Sequence, residues 1–345
     1  MHMADALISP AVGGTMWAAS AVIIGYCSKK VREDPDDQKI PLMAVVGAFI
    51  FAAQMINFTI PGTGSSGHLG GGMILAILLG PYAAFLAMAS VLAVQALFFA
   101  DGGLLALGCN IFNLGFFPCF IAYPLIYKNI VGKRPGEKRL FVAATLSAVV
   151  ALQLGAFGVV LQTVVSNVSE LPFATFTLVM QPIHLAIGLI EGLATTAVVL
   201  FVWKARPEIL DPVSGSTSDG ALPIRNLLIG FLAAAVVAGG IVSWFASTNP
   251  DGLEWSIFKT AGSEQLQAPQ PGAHAVLNDI QQKTAVLPDY GLKSETDRGH
   301  VKEGSSETVV DAGKSLSGLV GGALTLLIAG LFGVLLKRRK KSIGT

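Results

Sequence analysis

The chain has 345 residues, of which 52% are hydrophobic and 13% charged, with a net charge of +1 and a mean hydropathy of +0.64. Soluble domains carry about a quarter charged residues, and nucleic-acid binders carry a basic excess, so both classes are excluded. Between Ile40 and Lys128 the single charged residue is Asp101. Such a stretch suits membrane-spanning helices of about 20 apolar residues each, and it lacks the alternation of barrel strands.

Apolar runs fall at 7–27, 40–58, 68–80, 82–100, 104–127, 140–166, 177–203, 225–247 and 315–336. They predict an all-α polytopic membrane protein: a seven-helix bundle followed by two further transmembrane helices that enclose an extracytoplasmic loop. The third run is short for a crossing, and Gly80-Pro81 joins it tightly to the fourth. The chain divides into a seven-span unit over 1–210, a Ser/Gly/Asp-rich linker over 211–224 and a two-span region over 225–345. The loop at about 248–314 contains Gly262, Pro269, Pro271 and Pro288; it is expected to be loosely ordered, with His274 and His300 solvated. Seventeen of the 23 basic residues fall in the remaining connections and the KRRKK tail. The positive-inside rule puts those in the cytoplasm. Nine spans then leave Met1 outside and the C-terminus inside, in a multi-pass protein of the cytoplasmic (inner) membrane.

Met1-His2 offers three nitrogens in one dipeptide: the terminal amine, the His2 amide and the His2 imidazole. Amine and amide close a five-membered chelate ring, and amide and imidazole a six-membered one. A deprotonated amide suits a square-planar ion, the geometry of Ni²⁺ and Cu²⁺, which low-spin Co²⁺ also accepts. Residues 61–72 (PGTGSSGHLGGG) join the second and third spans on the same side as Met1, and His68 would supply a fourth nitrogen. The alternative is a Gly-rich re-entrant turn with an incidental histidine. In the seventh span His184 and Glu191 lie seven residues apart on one helix face; they read either as a supporting or relay pair or as structural polar residues. Asn57, Gln95, Asn110, Asn113 and Gln153 read as interhelical hydrogen-bonding amides, some of them able to orient an imidazole. Asp101-Gly-Gly reads as an exposed turn. The three cysteines form no CxxC. Residues 311–315 (DAGKS) end like a P-loop, but Thr308 stands where its first Gly belongs.

Residues 1–10 (MHMADALISP), 67–72 (GHLGGG), 108–113 (GCNIFN) and 184–192 (HLAIGLIEG) resemble the substrate-binding (S) subunits of nickel/cobalt energy-coupling factor transporters, which are ABC importers. The resemblance covers about 1–210. The remainder resembles the two-helix accessory subunit fused in many such systems, with residues 249–254 (NPDGLE) as its signature. The resemblance implies Ni²⁺ or Co²⁺ as transported substrate, with no organic cofactor and no enzymatic activity in this chain. It implies the Met1 amine, the His2 amide and ring, and the His68 ring as ligands. It also implies a separate transmembrane coupling (T) protein and ATP-binding subunits as partners, besides membrane lipid, and no nucleic acid. Two other readings are a self-sufficient secondary transporter, for which Asp101, His184 and Glu191 are the candidate ion path, and a membrane metalloenzyme.

Overall fold

The computed structural model describes residues 2–33, 38–132, 135–210, 223–263, 266, 268, 272–292 and 311–341. In chain order the elements are α1 (Pro10–Glu33), α2 (Lys39–Gln54), a hairpin of β1 (Phe58–Ile60) and β2 (Ser65–Gly67), α3 (Gly72–Leu79), α4 (Pro81–Phe99), α5 (Leu107–Val131), α6 (Glu137–Ser166), α7 (Phe173–Ala205), α8 (Ile224–Gly240), α9 (Gly252–Ala261), α10 (Ala273–Thr284) and α11 (Ala312–Lys341). Among the described residues, α1, α4, α5, α6, α7 and α11 are long and apolar enough to cross a membrane; α2 and α8 are shorter apolar helices. The all-α polytopic architecture expected from composition is what forms.

The third apolar run behaves differently from its neighbours. Its first residues belong to an irregular Gly-rich stretch, so α3 has only eight residues, about 12 Å of helix. That helix alone is shorter than the roughly 30 Å hydrocarbon core. Every residue of α3 is buried, and it leads through Gly80, at φ +77°, into Pro81 at the start of α4. The middle of α5, Phe112–Tyr127, is wound as a π-helix and contains Pro118 and Pro124. Prolines remove N–H donors from the helix interior, and widened turns of this kind cluster at functional sites.

Helices approach closely where side chains are absent. A Cβ on Gly108 would stand 2.4 Å from the Trp17 backbone nitrogen, and Ser20 Oγ donates to the Gly108 carbonyl at 2.7 Å, which brings α1 onto α5. A Cβ on Gly318 would lie 2.3 Å from the Gly239 carbonyl oxygen, and one on Gly321 would lie 2.0 Å from the Phe51 ring. These glycines seat α11 against α8 and α2, as small residues do in membrane bundles. The C-terminal region is therefore packed onto the bundle.

Part of the segment expected to be a loose loop is built, among its described residues. It contains α9, whose N-terminus carries a reciprocal capping box between Asp251 and Glu254, and α10. His274 is buried, with Nε2 2.8 Å from the Ile8 carbonyl, contrary to the solvated position expected of it. Amphipathic packing of α10 over the bundle's end accounts for the difference. His300, most of the 211–224 linker and Met1 lie outside the described residues.

Candidate metal centre

Four separate pieces of chain meet at one end of the bundle. The first is the N-terminal segment. Asn110 of α5 clamps Met3 from both sides: the Met3 N–H donates to Asn110 Oδ1 at 2.9 Å, and Asn110 Nδ2 donates to the Met3 carbonyl at 3.2 Å. Gly103 N–H donates to the same carbonyl at 2.9 Å. Asn113 contacts Met3 Sδ and exchanges hydrogen bonds with Gln162. These amides, read from sequence as bundle glue, fix the backbone immediately after His2.

The second piece is the glycine-rich stretch that carries His68. Glu191 of α7 accepts the Gly70 N–H at 3.0 Å on Oε2 and the Gly71 N–H at 2.9 Å on Oε1. On the other side, Gln54 Nε2 donates to the Gly70 carbonyl at 2.8 Å, and Gln95 Nε2 donates to Gln54 Oε1 at 2.8 Å. Gly71 holds φ +74°, and a Cβ there would lie 2.7 Å from Ile50. Two independent constraints thus require glycine at this position. His68 Nδ1 lies 3.1 Å from the Leu69 carbonyl.

The two imidazoles come together. The His2 and His68 ring planes are within 10° of parallel, with centroids 5.1 Å apart. Both side chains are buried, at 7% and 8% exposure. Metal–nitrogen bonds are about 2 Å long, so rings at this spacing can both reach one ion. Among the described residues His2 Nε2 is buried without a hydrogen-bond partner, while Nδ1, the nitrogen that can close a chelate ring with the His2 amide, lies 3.3 Å from Asp101 Oδ1. Burial lowers the His2 imidazole from 6.5 to about 4, against the opposing pull of Asp101, so the ring is neutral at physiological pH, the form that binds metals.

The third piece is the turn after α4. Asp101 was expected to be an exposed cap, but its Oδ1 lies 3.3 Å from His2 Nδ1, and its Oδ2 accepts a hydrogen bond from Tyr290. The turn is drawn inward because α10 and the residues after it bind its backbone. Gln281 Nε2 donates to the Ala96 and Gly102 carbonyls, and Val286 N–H to the Phe98 carbonyl.

The fourth piece is the connection from α8 to α9. Asp251 Oδ2 stands 3.8 Å from His68 Nε2. Burial works against the Asp251 charge, but neighbouring positive charge and the His68 hydrogen bond outweigh it and hold the carboxyl well below its usual range. His184, on α7, bonds the Met180 carbonyl through Nδ1 at 2.8 Å and packs beneath Gly252. Asn57 lines the cavity above the histidines, and its backbone carbonyl accepts Ser247 N–H. Gln153 lies away from this centre, pairing with the Gln181 carbonyl. The cavity measures about 810 Å³ and is lined by His2, His68, Asp101, Asp251, Glu254 and Tyr290 among others.

Sequence reasoning quoted Asp251 only as part of the NPDGLE signature, with no role at the site, and did not single out Tyr290 or Gln54. Asp251 carried a signal, the Asp-x-x-Glu capping box, but that pattern reports only a helix start. Nothing local places a residue 183 positions away beside His68.

Residues 2–209 match the CbiM family model, the cobalt uptake substrate-specific transmembrane region, and residues 225–338 match the PDGLE domain. The chain belongs to the CbiM family. Within it, a putative metal transport protein of Haloquadratum walsbyi is 38% identical over 213 residues, spanning 61% of this chain and 93% of that protein. The fused nickel transport protein NikMN of Rhodobacter capsulatus is 29% identical over 314 residues, spanning 84% and 88%. A solved structure of a truncated transition metal transporter superposes with a TM-score of 0.53 at 28% identity, covering 59% of this chain and 99% of that one. The CbiM region and the PDGLE domain of this multi-pass membrane protein each contribute residues to the centre described above.

Proposed function

We propose that this chain captures Ni²⁺ or Co²⁺ on the outer face of the cytoplasmic membrane and acts as the S subunit of an energy-coupling factor importer. The observation that carries the reading is the buried, near-parallel His2–His68 pair at 5.1 Å. The proposed ligands are the Met1 amine, the His2 amide and ring, and the His68 ring. An ion held by four nitrogens in a plane has no open in-plane position for a reactive water, which favours carriage over catalysis. Relatives named for nickel and cobalt transport support the same substrate class. A coupling membrane protein and ATP-binding subunits complete the proposed importer. The basic connections and tail support a cytoplasmic C-terminus and an external N-terminus.

The test is Ni²⁺ binding to the purified full chain. His2→Ala and His68→Ala each abolish high-affinity binding, and an Ala added before Met1 does the same by displacing the amine. Wild-type affinity in the His68→Ala protein overturns the site, and wild-type affinity in the extended protein removes the amine from it.

A further inference from the structure

The segment Asn249–Glu254 is where the PDGLE domain reaches the histidines, and its residues cooperate in aiming one carboxylate. Ser66 of β2 donates its N–H to the Pro250 carbonyl at 2.8 Å and its hydroxyl to the Asn249 carbonyl at 2.8 Å. The segment is thereby fastened to the hairpin that leads into His68. Trp255 Nε1 donates to the Thr63 carbonyl at 3.0 Å, a second fastening one helical turn on. Gly252 lets the start of α9 sit directly on α7, since a Cβ there would lie 2.8 Å from Ile187 Cδ1 and 3.1 Å from His184 Cε1.

Asp251 is held by its own helix. Its Oδ1 accepts the Leu253 N–H at 2.8 Å and the Glu254 N–H at 2.9 Å, while Glu254 Oε2 accepts the Asp251 N–H at 3.0 Å. With Oδ1 fixed by the cap, Oδ2 is the oxygen turned to His68 Nε2, at 3.8 Å. The side chain that starts α9 therefore also presents a carboxylate oxygen beside the position of an incoming cation.

We propose that Asp251 supplies the negative charge that draws the divalent cation onto His68, so that the PDGLE domain contributes to the electrostatics of the metal site as well as covering it. The inference rests on the reading of His68 as a ligand. A carboxylate this close to a divalent ion, inside a partly enclosed cavity, raises both its capture rate and its residence. The carboxylate is correctly aimed only when α9 is capped and seated on the hairpin and α7.

Asparagine caps helices as well as aspartate does, so Asp251→Asn removes the charge and keeps the cap. In the full chain, with NiCl₂ as the probe, Asp251→Asn binds about tenfold or more weakly, in the range found when groups that support metal ligands are lost. Its association rate falls, and the dependence of that rate on ionic strength flattens. Asp251→Ser, a second capping residue without charge, behaves alike. Wild-type affinity in both variants overturns the proposal. So does weakened binding with an unchanged salt dependence, which would mean that shape matters and charge does not. Failure of the underlying reading has a different signature: the wild-type chain fails to bind Ni²⁺, or His68→Ala binds as well as wild type.

Discussion

Replacing Glu191 with Gln exchanges one oxygen of a buried carboxylate for an NH₂ group and leaves the side-chain volume unchanged. The wild-type carboxylate accepts the Gly70 and Gly71 N–H groups at 3.0 and 2.9 Å. A glutamine accepts only one of them and turns a donor toward the other. Loss of one hydrogen bond to a charged acceptor costs about 1.5–3 kcal/mol. The Gln54 bond to the Gly70 carbonyl survives, so the glycine stretch loosens without detaching. If that free energy appears in the population that holds His68 in place, the apparent affinity falls by up to the same factor, about 10- to 150-fold. The assay is Ni²⁺ competition against a soluble chelator, paired with hydrogen exchange over residues 69–73. The expected result is weaker binding with faster exchange of that stretch. A Glu191→Gln protein with wild-type affinity and wild-type exchange refutes the claim that Glu191 positions His68.

Two further outcomes follow from the same geometry. Gly252→Ala forces a methyl group to within about 3 Å of Ile187 and His184, where overpacking costs about 1–3 kcal/mol; the variant melts earlier and binds Ni²⁺ more weakly, and an unchanged melt shows that α9 does not sit on α7 as described. Burial lowers His2 to about 4 from 6.5, so the unfolded chain binds a proton there before the folded one does. The metal-free protein therefore keeps its full stability from this group above about pH 6.5 and loses it as pH falls toward 4, by about 3 kcal/mol in all; a wild-type melt that does not fall relative to His2→Gln across that window contradicts a buried neutral ring.

The membrane architecture was legible because lipid imposes one solution on long apolar runs, and each run in the sequence corresponds to helix somewhere along its length. The third run misled in detail because Gly70–Gly72 are apolar by composition but are used for their backbone freedom and their N–H groups. His2, His68 and Glu191 stood out as ionisable residues in apolar surroundings. Asp101 did not, because an Asp-Gly-Gly turn has the same sequence whether it faces solvent or is pulled over a histidine by Gln281 and Tyr290. His274 was misjudged for a related reason: a polar amphipathic helix such as α10 gains its buried face only from the surface it lands on, and that surface is assembled from distant segments.

Asp251 and Tyr290 reach the histidines from a region joined to the bundle by only twelve residues, 211–222. Fully extended, such a connection spans about 40 Å. Rejoining after any separation is then a unimolecular event, with an effective concentration of about a millimolar. α11 is in any case seated on α2, where a Cβ on Gly321 would meet the Phe51 ring, so the domain's place on the bundle does not depend on how much protein the membrane contains. The single chain therefore supplies one PDGLE domain for each pair of histidines.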